Sequence, residues 1–515
     1  MSEFVELPNT WAFAPLSSIA DVNPRSFCPL PSAVSQPVHF VPMSAVTEEF
    51  GGIDISARRP LGDVQKGYTS FLTNDVLLAK ITPCMENGKL ALVPPLQDHL
   101  AFGSTEFHVL RAKDQVQPSW LAYFLSQSAF RRLARQNMTG SAGQLRVATT
   151  WLSDALIPVA PATEQTRIVA KLEELLSDLD AGVAELKAAQ KKLAQYRQSL
   201  LKAAVEGALT AAWRTQHQPT ETGAQLLQRI LQERRARWEA RQRAKFAEQG
   251  KTPPKDWQKK YPEPVQPNTT DLPKLPQGWV WASVEQLGDV QLGRQRSPDK
   301  VGGVSPTPYI RAANVTEAGV DLSDVLEMDF SETEKQTFAL KVGDVLLTEA
   351  SGSAEHVGRP AIWKHADGLY CFQNTVLRFS PLGIGSEYAF YSFLAMQKLG
   401  VFRKLSGGVG INHLSAGKFS KLPMPLPPLV EQLALIESIE QKFALWDEQL
   451  SSINHAIKQS TAQRQNILRA AFSGQLVPQD PHDEPASALL ERIRAERAAR
   501  DAVKKPRGRK AQEAA

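Results

Sequence analysis

The chain has 515 residues, with 59 Lys and Arg against 54 Asp and Glu, a net charge of +5 at pH 7. That length holds several domains, and so mild a charge excludes a protein that is basic throughout. Cys28, Cys84 and Cys371 stand far apart and in no CxxC pair, which argues against a disulfide framework or a thiolate zinc site and suits a reducing compartment. The opening MSEFVELPNTWAFAPL lacks a basic segment followed by an apolar one, and no apolar run approaches the roughly 20 residues of a membrane helix. The expectation is a cytoplasmic chain with no membrane association.

In chain order, a tryptophan-bearing segment, NTWAFAPLSSIADV (9–22), opens a mixed region with short strand-like runs HFVPM, DVLLAK and FHVL between Gly and Pro. SWLAYFLSQSAFRRLARQ (119–136) then predicts an amphipathic helix, and NMTGSAGQL (137–145) a small-residue loop. IPVAPATEQ (157–165) follows, a proline-spaced apolar run ending in Glu-Gln. Proline suits neither a central strand nor a helix interior, so this stretch predicts a stiff, extended exit. Glu164 falls in the first turn of the next helix, where an acid suits the positive end of the dipole.

That helix carries the clearest period in the chain. Leu172, Leu179, Leu186, Leu193 and Leu200 stand seven apart, with Val169, Leu176 and Val183 interleaved and Gln190 and Arg197 as polar interruptions. These are the a and d rows of a heptad, sustained to a stop at Gly207. At 1.5 Å per residue, about 40 residues make a rod of roughly 60 Å. Next, AQLLQRILQERRARWEARQRAK (224–245) holds seven Arg or Lys against two Glu. TPPKDWQKKYPEPVQPNTTDLPKLPQ (252–277) is proline-rich without a core pattern and predicts an extended linker.

The same order then recurs. QGWVWASVEQLGDV (277–290) opens a second mixed region with runs DVLLT, AIW and TVLRF, a helix candidate SEYAFYSFLAMQKLGVFRKL (386–405) and a loop SGGVGINHL (406–414). LPMPLPPLVEQ (422–432) repeats the junction, with Glu431-Gln432 lying 267 residues after Glu164-Gln165. The second helix carries Ile439, Trp446, Ile453, Ser460 and Ile467, interleaved with Ile436, Phe443, Leu450 and Ile457, and stops at Gly474. NDVLLAK matches GDVLLTE, LLKAAVEGALT matches ILRAAFSGQLV, and LLQRILQERRAR matches LLERIRAERAAR. Ordered matches of this kind identify a tandem duplication of about 240 to 270 residues per copy. KKPRGRK (504–510) reads as a basic tail.

Motifs for chemistry are absent. No GxxxxGK[ST] occurs, since GSAEHVGR (352–359) and AGK (416–418) have the wrong spacing. There is no Asp-Pro-Pro-Tyr or Asn-Pro-Pro-Phe type tetrapeptide, and the nine histidines form no HExxH pair. Glu440 and Lys442 lie on the heptad helix, far in sequence from Pro298-Asp299, so no nuclease site is read from them. The expectation is a chain with no catalytic residues, no metal ligands and no cofactor of its own.

Two tryptophan-led regions, each closed by a proline run and Glu-Gln into a long helix, resemble the specificity subunit of type I restriction–modification enzymes. LPQGWVWASVEQLGDV (275–290) and LPMPLPPLVEQLALIESIEQ (422–441) carry the resemblance most clearly. It implies an α+β chain of two target-recognition domains, each mixed α/β, separated by two long α-helices that pair as an antiparallel coiled coil with an internal pseudo-twofold repeat. The division is 1–160 for the first recognition domain, 161–213 for the central conserved spacer helix and 214–277 for the basic helix and linker. It continues with 278–428 for the second recognition domain, 429–478 for the distal spacer helix and 479–515 for a basic C-terminal helix and tail. Leu172, Leu179, Leu186, Leu193 and Leu200 would face Ile439, Phe443, Trp446, Leu450, Ile453, Ile457 and Ile467. The resemblance also implies double-stranded DNA as ligand, with two modification subunits that methylate adenine using S-adenosylmethionine. Restriction subunits would add cleavage that uses ATP and magnesium. APATEQ departs from the pattern at Ala162 and Thr163, and the 224–277 insertion is longer than the scheme requires.

Candidates for base contact are polar loop residues: Lys80, Gln144 and Arg146 in the first copy, and Arg311, Arg359, Asn412 and His413 in the second. Arg, Asn and Gln can bond base edges bidentately, although phosphate contact is the commoner role. Because the copies differ outside the junctions, the expected target is bipartite and asymmetric. The competing reading is a coiled-coil scaffold that binds ligands other than DNA.

Overall fold

A computed structural model describes residues 7–24, 34–97, 100–141, 143–295, 306–351, 353, 355–405 and 412–504. Cys28, Pro298, Asp299, loop residues 406–411 and tail residues 505–515 lie outside them. The chain forms two compact units, one of 1–187 with 454–515 and one of 188–453. Each therefore combines one mixed domain with stretches of both long helices.

In the first unit, strands Ala20–Val22, Phe107–Ala112, Val76–Ala79 and Leu90–Leu92 lie side by side in that order, all antiparallel. A second sheet runs Arg58–Pro60, Pro37–Val41, Leu100–Gly103, Thr69–Leu72, with its central pair parallel. The second unit repeats both plans. Gly288–Leu292, Val376–Pro381, Val345–Thr348 and Pro360–Ile362 form the antiparallel sheet. Leu326–Asp329, Pro306–Ile310 and Cys371–Phe372 form the other, again with one parallel pair. Buried Val76, Leu77 and Leu78 match Val345, Leu346 and Leu347, so the repeated apolar runs are the central strands of each sheet. An aspartate anchors the same strand in both copies. Arg111 grips Asp75 at 2.8 and 2.7 Å, while Ser380 donates to Asp344 at 2.6 Å.

The proline-spaced runs form strands as well. Leu156–Val159 pairs with Ala12–Pro15, and Pro423–Leu426 with Val280–Ser283, each as an isolated two-stranded ribbon. An edge position tolerates the missing proline N–H, and the ribbon ties the last strand of each domain to its first. Trp120 donates to the carbonyl of Pro158 at 3.1 Å, and Tyr388, its counterpart in the repeat, to that of Pro425 at 2.5 Å.

Both long helices have 44 residues, Ala162–Val205 and Leu429–Phe472. Both end on left-handed glycines, Gly207 at φ +73° and Gly474 at φ +72°. Leu209 bonds back to Ala203 and Gln475 to Ala470, which closes the last turns. A Cβ on Gly207 would lie 2.6 Å from Pro276, and one on Gly474 would lie 2.3 Å from Pro8. Within each unit the helical stretches run antiparallel. In the first, Leu172 and Leu176 share a core with Leu468 and Phe472, and Asp180 pairs with Arg464. In the second, Ala204 packs with Leu435 and Ile439, while Trp446 donates to the Leu193 carbonyl at 3.0 Å.

Three readings change. The helices expected over 119–136 and 386–405 are each broken in two, Pro118–Ser126 with Ser128–Gln136 and Ser386–Lys398 with Val401–Leu405. Gln127 is extended at ψ 138°, and Gly400 sits at φ +78°. The basic stretch is a helix as expected, Gly223–Glu248, but no mere insertion, since its counterpart stands at Ala486–Lys504. Leu226 and Ile230 are buried on the second domain as Leu489 and Ile493 are on the first, so this helix belongs to the repeat. The proline-rich segment is latched rather than free. Trp257 and Tyr261 pack on Trp238 at 5.7 and 5.4 Å, and the Val265 amide bonds to Glu285.

Candidate nucleic-acid interface

Each domain presents a polar cluster where its central strand runs on past the sheet. In the first unit the Lys80 amide bonds to the Glu106 carbonyl at 2.9 Å, and the Lys80 carbonyl accepts from Val147 at 2.9 Å. In the second the Glu349 amide bonds to the Thr375 carbonyl at 2.8 Å, and the Glu349 carbonyl accepts from Leu414 at 2.7 Å. One residue further on, Ile81 bridges to Arg146 and Ala350 pairs with His413. Lys80, Glu106 and Arg146 in one copy thus occupy the places of Glu349, Thr375 and His413 in the other.

The structure brings Lys80, Gln144 and Arg146 together. The hairpin Met138–Thr139 with Arg146–Val147 carries an exposed Gln144 at its turn, with Gly140 at φ +130° and Gly143 at φ +83°. Arg146 forks onto Glu106 at 3.0 and 2.9 Å, and this pairing holds the Glu106 carboxyl below its ordinary range. The Lys80 ammonium has no hydrogen-bond partner among the described residues. His108, behind the cluster, bonds to the Val147 carbonyl at 2.8 Å, and burial lowers its pKa.

In the second unit Arg311, Arg359 and His413 lie around the same strand end. Ala312 donates to the Thr375 hydroxyl at 3.1 Å, and the Arg359 amide to that of Thr348 at 3.0 Å. The Arg311 guanidinium pairs with Asp324, and that of Arg359 reaches the Val315 carbonyl at 3.4 Å. In both, Nε is buried with no hydrogen-bond partner among the described residues. His413 Nδ1 stands 3.2 and 3.1 Å from the two Glu349 oxygens. The Asn412 backbone pairs with Ser351, and its side chain lies outside what is described. Arg131, Arg132 and Arg135 are turned to Glu49, Ser128 and Glu86.

Along the helices Leu172 and Leu200 are buried, and Leu179, Leu186 and Leu193 are half-buried. Ile439 is buried, while Phe443, Trp446, Leu450, Ile453, Ile457 and Ile467 are half-buried. At the ends burial moves to Leu201, Leu435 and Leu468, because there each helix also packs on the mixed domain of its unit. Arg197 stacks over Phe443 and Trp446 at 4.7 and 4.6 Å, which explains one polar interruption of the heptad.

The Glu-Gln of each junction has a role that the helix-dipole reading missed. Glu164 is buried and accepts from Trp11 at 2.9 Å and from Gln479 at 2.5 Å. Glu431 is buried and accepts from Trp279 at 2.8 Å, Thr210 at 2.6 Å and Arg214 at 2.5 Å. Gln165 and Gln432 donate to the Ala160 and Pro427 carbonyls at 2.8 and 3.1 Å. Each glutamate joins the start of its domain to the chain leaving the opposite long helix. The paired spacing of Trp11 with Glu164 and of Trp279 with Glu431 was the available signal.

Residues 276–455 match the family model of the type I restriction modification DNA specificity domain. The match places a type I restriction specificity domain in the second half of the chain. It is 26% identical to the EcoEI specificity subunit of Escherichia coli over 88% of this chain and 80% of that one. It is likewise 26% identical to the EcoKI specificity subunit of Escherichia coli K12, over 76% and 74%. A solved structure concerned with complex assembly and conformational transition of the type I R-M system covers 92% of this chain and all of its own. Its TM-score is 0.65 at 19% identity, a likeness of fold. Among the described residues no His, Cys, Asp or Glu side chains gather as a metal site, and no helix is long and apolar enough to cross a membrane.

Proposed function

We propose that this specificity chain reads a bipartite, asymmetric DNA target, one half per recognition domain, and directs partner subunits that methylate adenine and restrict. The observation that carries this is the repeat itself: one backbone frame, built twice, presents chemically different side chains at matched positions. A protein that reads two separated words holds its reading elements in fixed register, because half-site spacing follows protein geometry. The ribbons, glycine caps and glutamate clamps supply stiffness at each junction. A mismatched base pair costs about 1–3 kcal/mol, so two short words at a fixed gap select far better than one. The proposed division places recognition in 1–160 and 278–428 and the spacers in 161–213 and 429–478.

Lys80, Gln144, Arg146, Arg311, Arg359, Asn412 and His413 supply DNA contacts in this reading. The modification subunits dock on the helices, where Tyr196 and Leu445 are 51% and 59% exposed beside Lys192 and Lys442. Exposed apolar surface of that kind marks a protein contact. The chain itself is non-catalytic, and S-adenosylmethionine, ATP and magnesium belong to the partners. The test is DNA binding by the chain with its modification subunits over a salt series: steep weakening with salt supports the reading, and no binding contradicts it.

A further inference from the structure

The clearest chemical difference between the two clusters is Lys80 in one copy and Glu349 in the other, at backbone positions bonded in the same way. Glu349 is only 14% exposed in its side chain, yet among the described residues a single donor, His413, contacts it. A carboxylate has about four acceptor sites, so most of its capacity is unused. Glu106 in the first unit, by contrast, is engaged by the guanidinium fork of Arg146. A carboxylate repels the phosphate backbone, so the favourable partner that DNA offers Glu349 is an exocyclic amino group on a base edge. In the major groove the usual partner of a carboxylate is cytosine N4.

On the reading that these clusters face DNA, we propose that Glu349 is a specificity-determining residue that accepts a hydrogen bond from a cytosine N4 amino group in the half-site read by the second domain. His413 positions the carboxylate. The matching Lys80 donates, so the first domain reads its word with the opposite hydrogen-bond sense.

The experiment maps adenine methylation laid down by the full chain with its modification subunits, comparing wild type with Glu349→Gln. The expected result is relaxation at one base pair of the second word, where roughly 5- to 150-fold discrimination is lost, with the first word and the gap unchanged. An unchanged second word with unchanged discrimination overturns the proposal. The wild-type complex provides a variant-free check on duplexes bearing N4-methylcytosine at each cytosine of the second word in turn. Loss of methylation at one of these positions supports the proposal, and retention at all of them overturns it. A wild-type complex that lays down no split mark fails differently, and points at the proposed function rather than at Glu349.

Discussion

The indole N–H of Trp279 is donated to the buried carboxylate of Glu431 at 2.8 Å, and Trp11 repeats the contact on Glu164 at 2.9 Å. The clamps differ in what else they hold. Glu431 also takes the Arg214 guanidinium, whereas Glu164 takes the neutral amide of Gln479. Glu431→Ala leaves Arg214 facing a site without its counter-charge. It is predicted to cost about 3–5 kcal/mol, as breaking a buried pair does. Trp279→Phe leaves the charge pair intact and is predicted to cost about 1–3 kcal/mol, the penalty of one unmet buried bond. Urea unfolding of the full chain orders the two.

Arg146 and Glu106 set a pH dependence. The guanidinium holds the Glu106 carboxyl below its ordinary 4.5. A lowered carboxyl contributes stability that is present above the unfolded value and lost as pH falls through the folded one. The stability difference between wild type and Arg146→Ala is therefore predicted to be constant above about pH 4.5 and to shrink below it. Thermal melting from pH 7 to pH 3 reads this out.

Lys80→Ala removes an ammonium that has no protein partner among the described residues. As a base contact its loss is predicted to relax one position of the first word, whereas a phosphate contact would weaken all sequences alike and lower the salt slope of log K by about 0.9. A slope equal to wild type places Lys80 away from the backbone.

Leu445→Glu puts a charge into the exposed strip beside Tyr196. Its effect on stability is predicted to stay within about 0.5 kcal/mol, as for an ordinary surface change. Assembly with the modification subunits is predicted to be lost in size-exclusion chromatography.

Much of the architecture was legible because it rests on local pattern. Heptad rows, glycine stops and twice-written DVLL runs need no tertiary information, and they give the helices, their ends and the central strands. What stayed hidden depends on three-dimensional pairing. Glu164 and Glu431 read as acids at a helix start, and only the fold shows tryptophans 153 and 152 residues earlier lying against them. Trp257 and Tyr261 sit in a segment with no apolar period, so their packing on Trp238 has no sequence signature. Glu349 does not stand out in the sequence as a DNA contact, since an acid repels the phosphate backbone, although the match of NDVLLAK with GDVLLTE already sets it opposite Lys80.

Bipartite reading is tested most directly by mapping adenine methylation in cells that express this chain with its modification subunits. Two short words at a fixed gap are predicted, and exchanging residues 1–160 for another recognition domain is predicted to change one word only. An assembled complex in which no adenine mark depends on this chain would contradict the account and leave the paired helices as a protein scaffold.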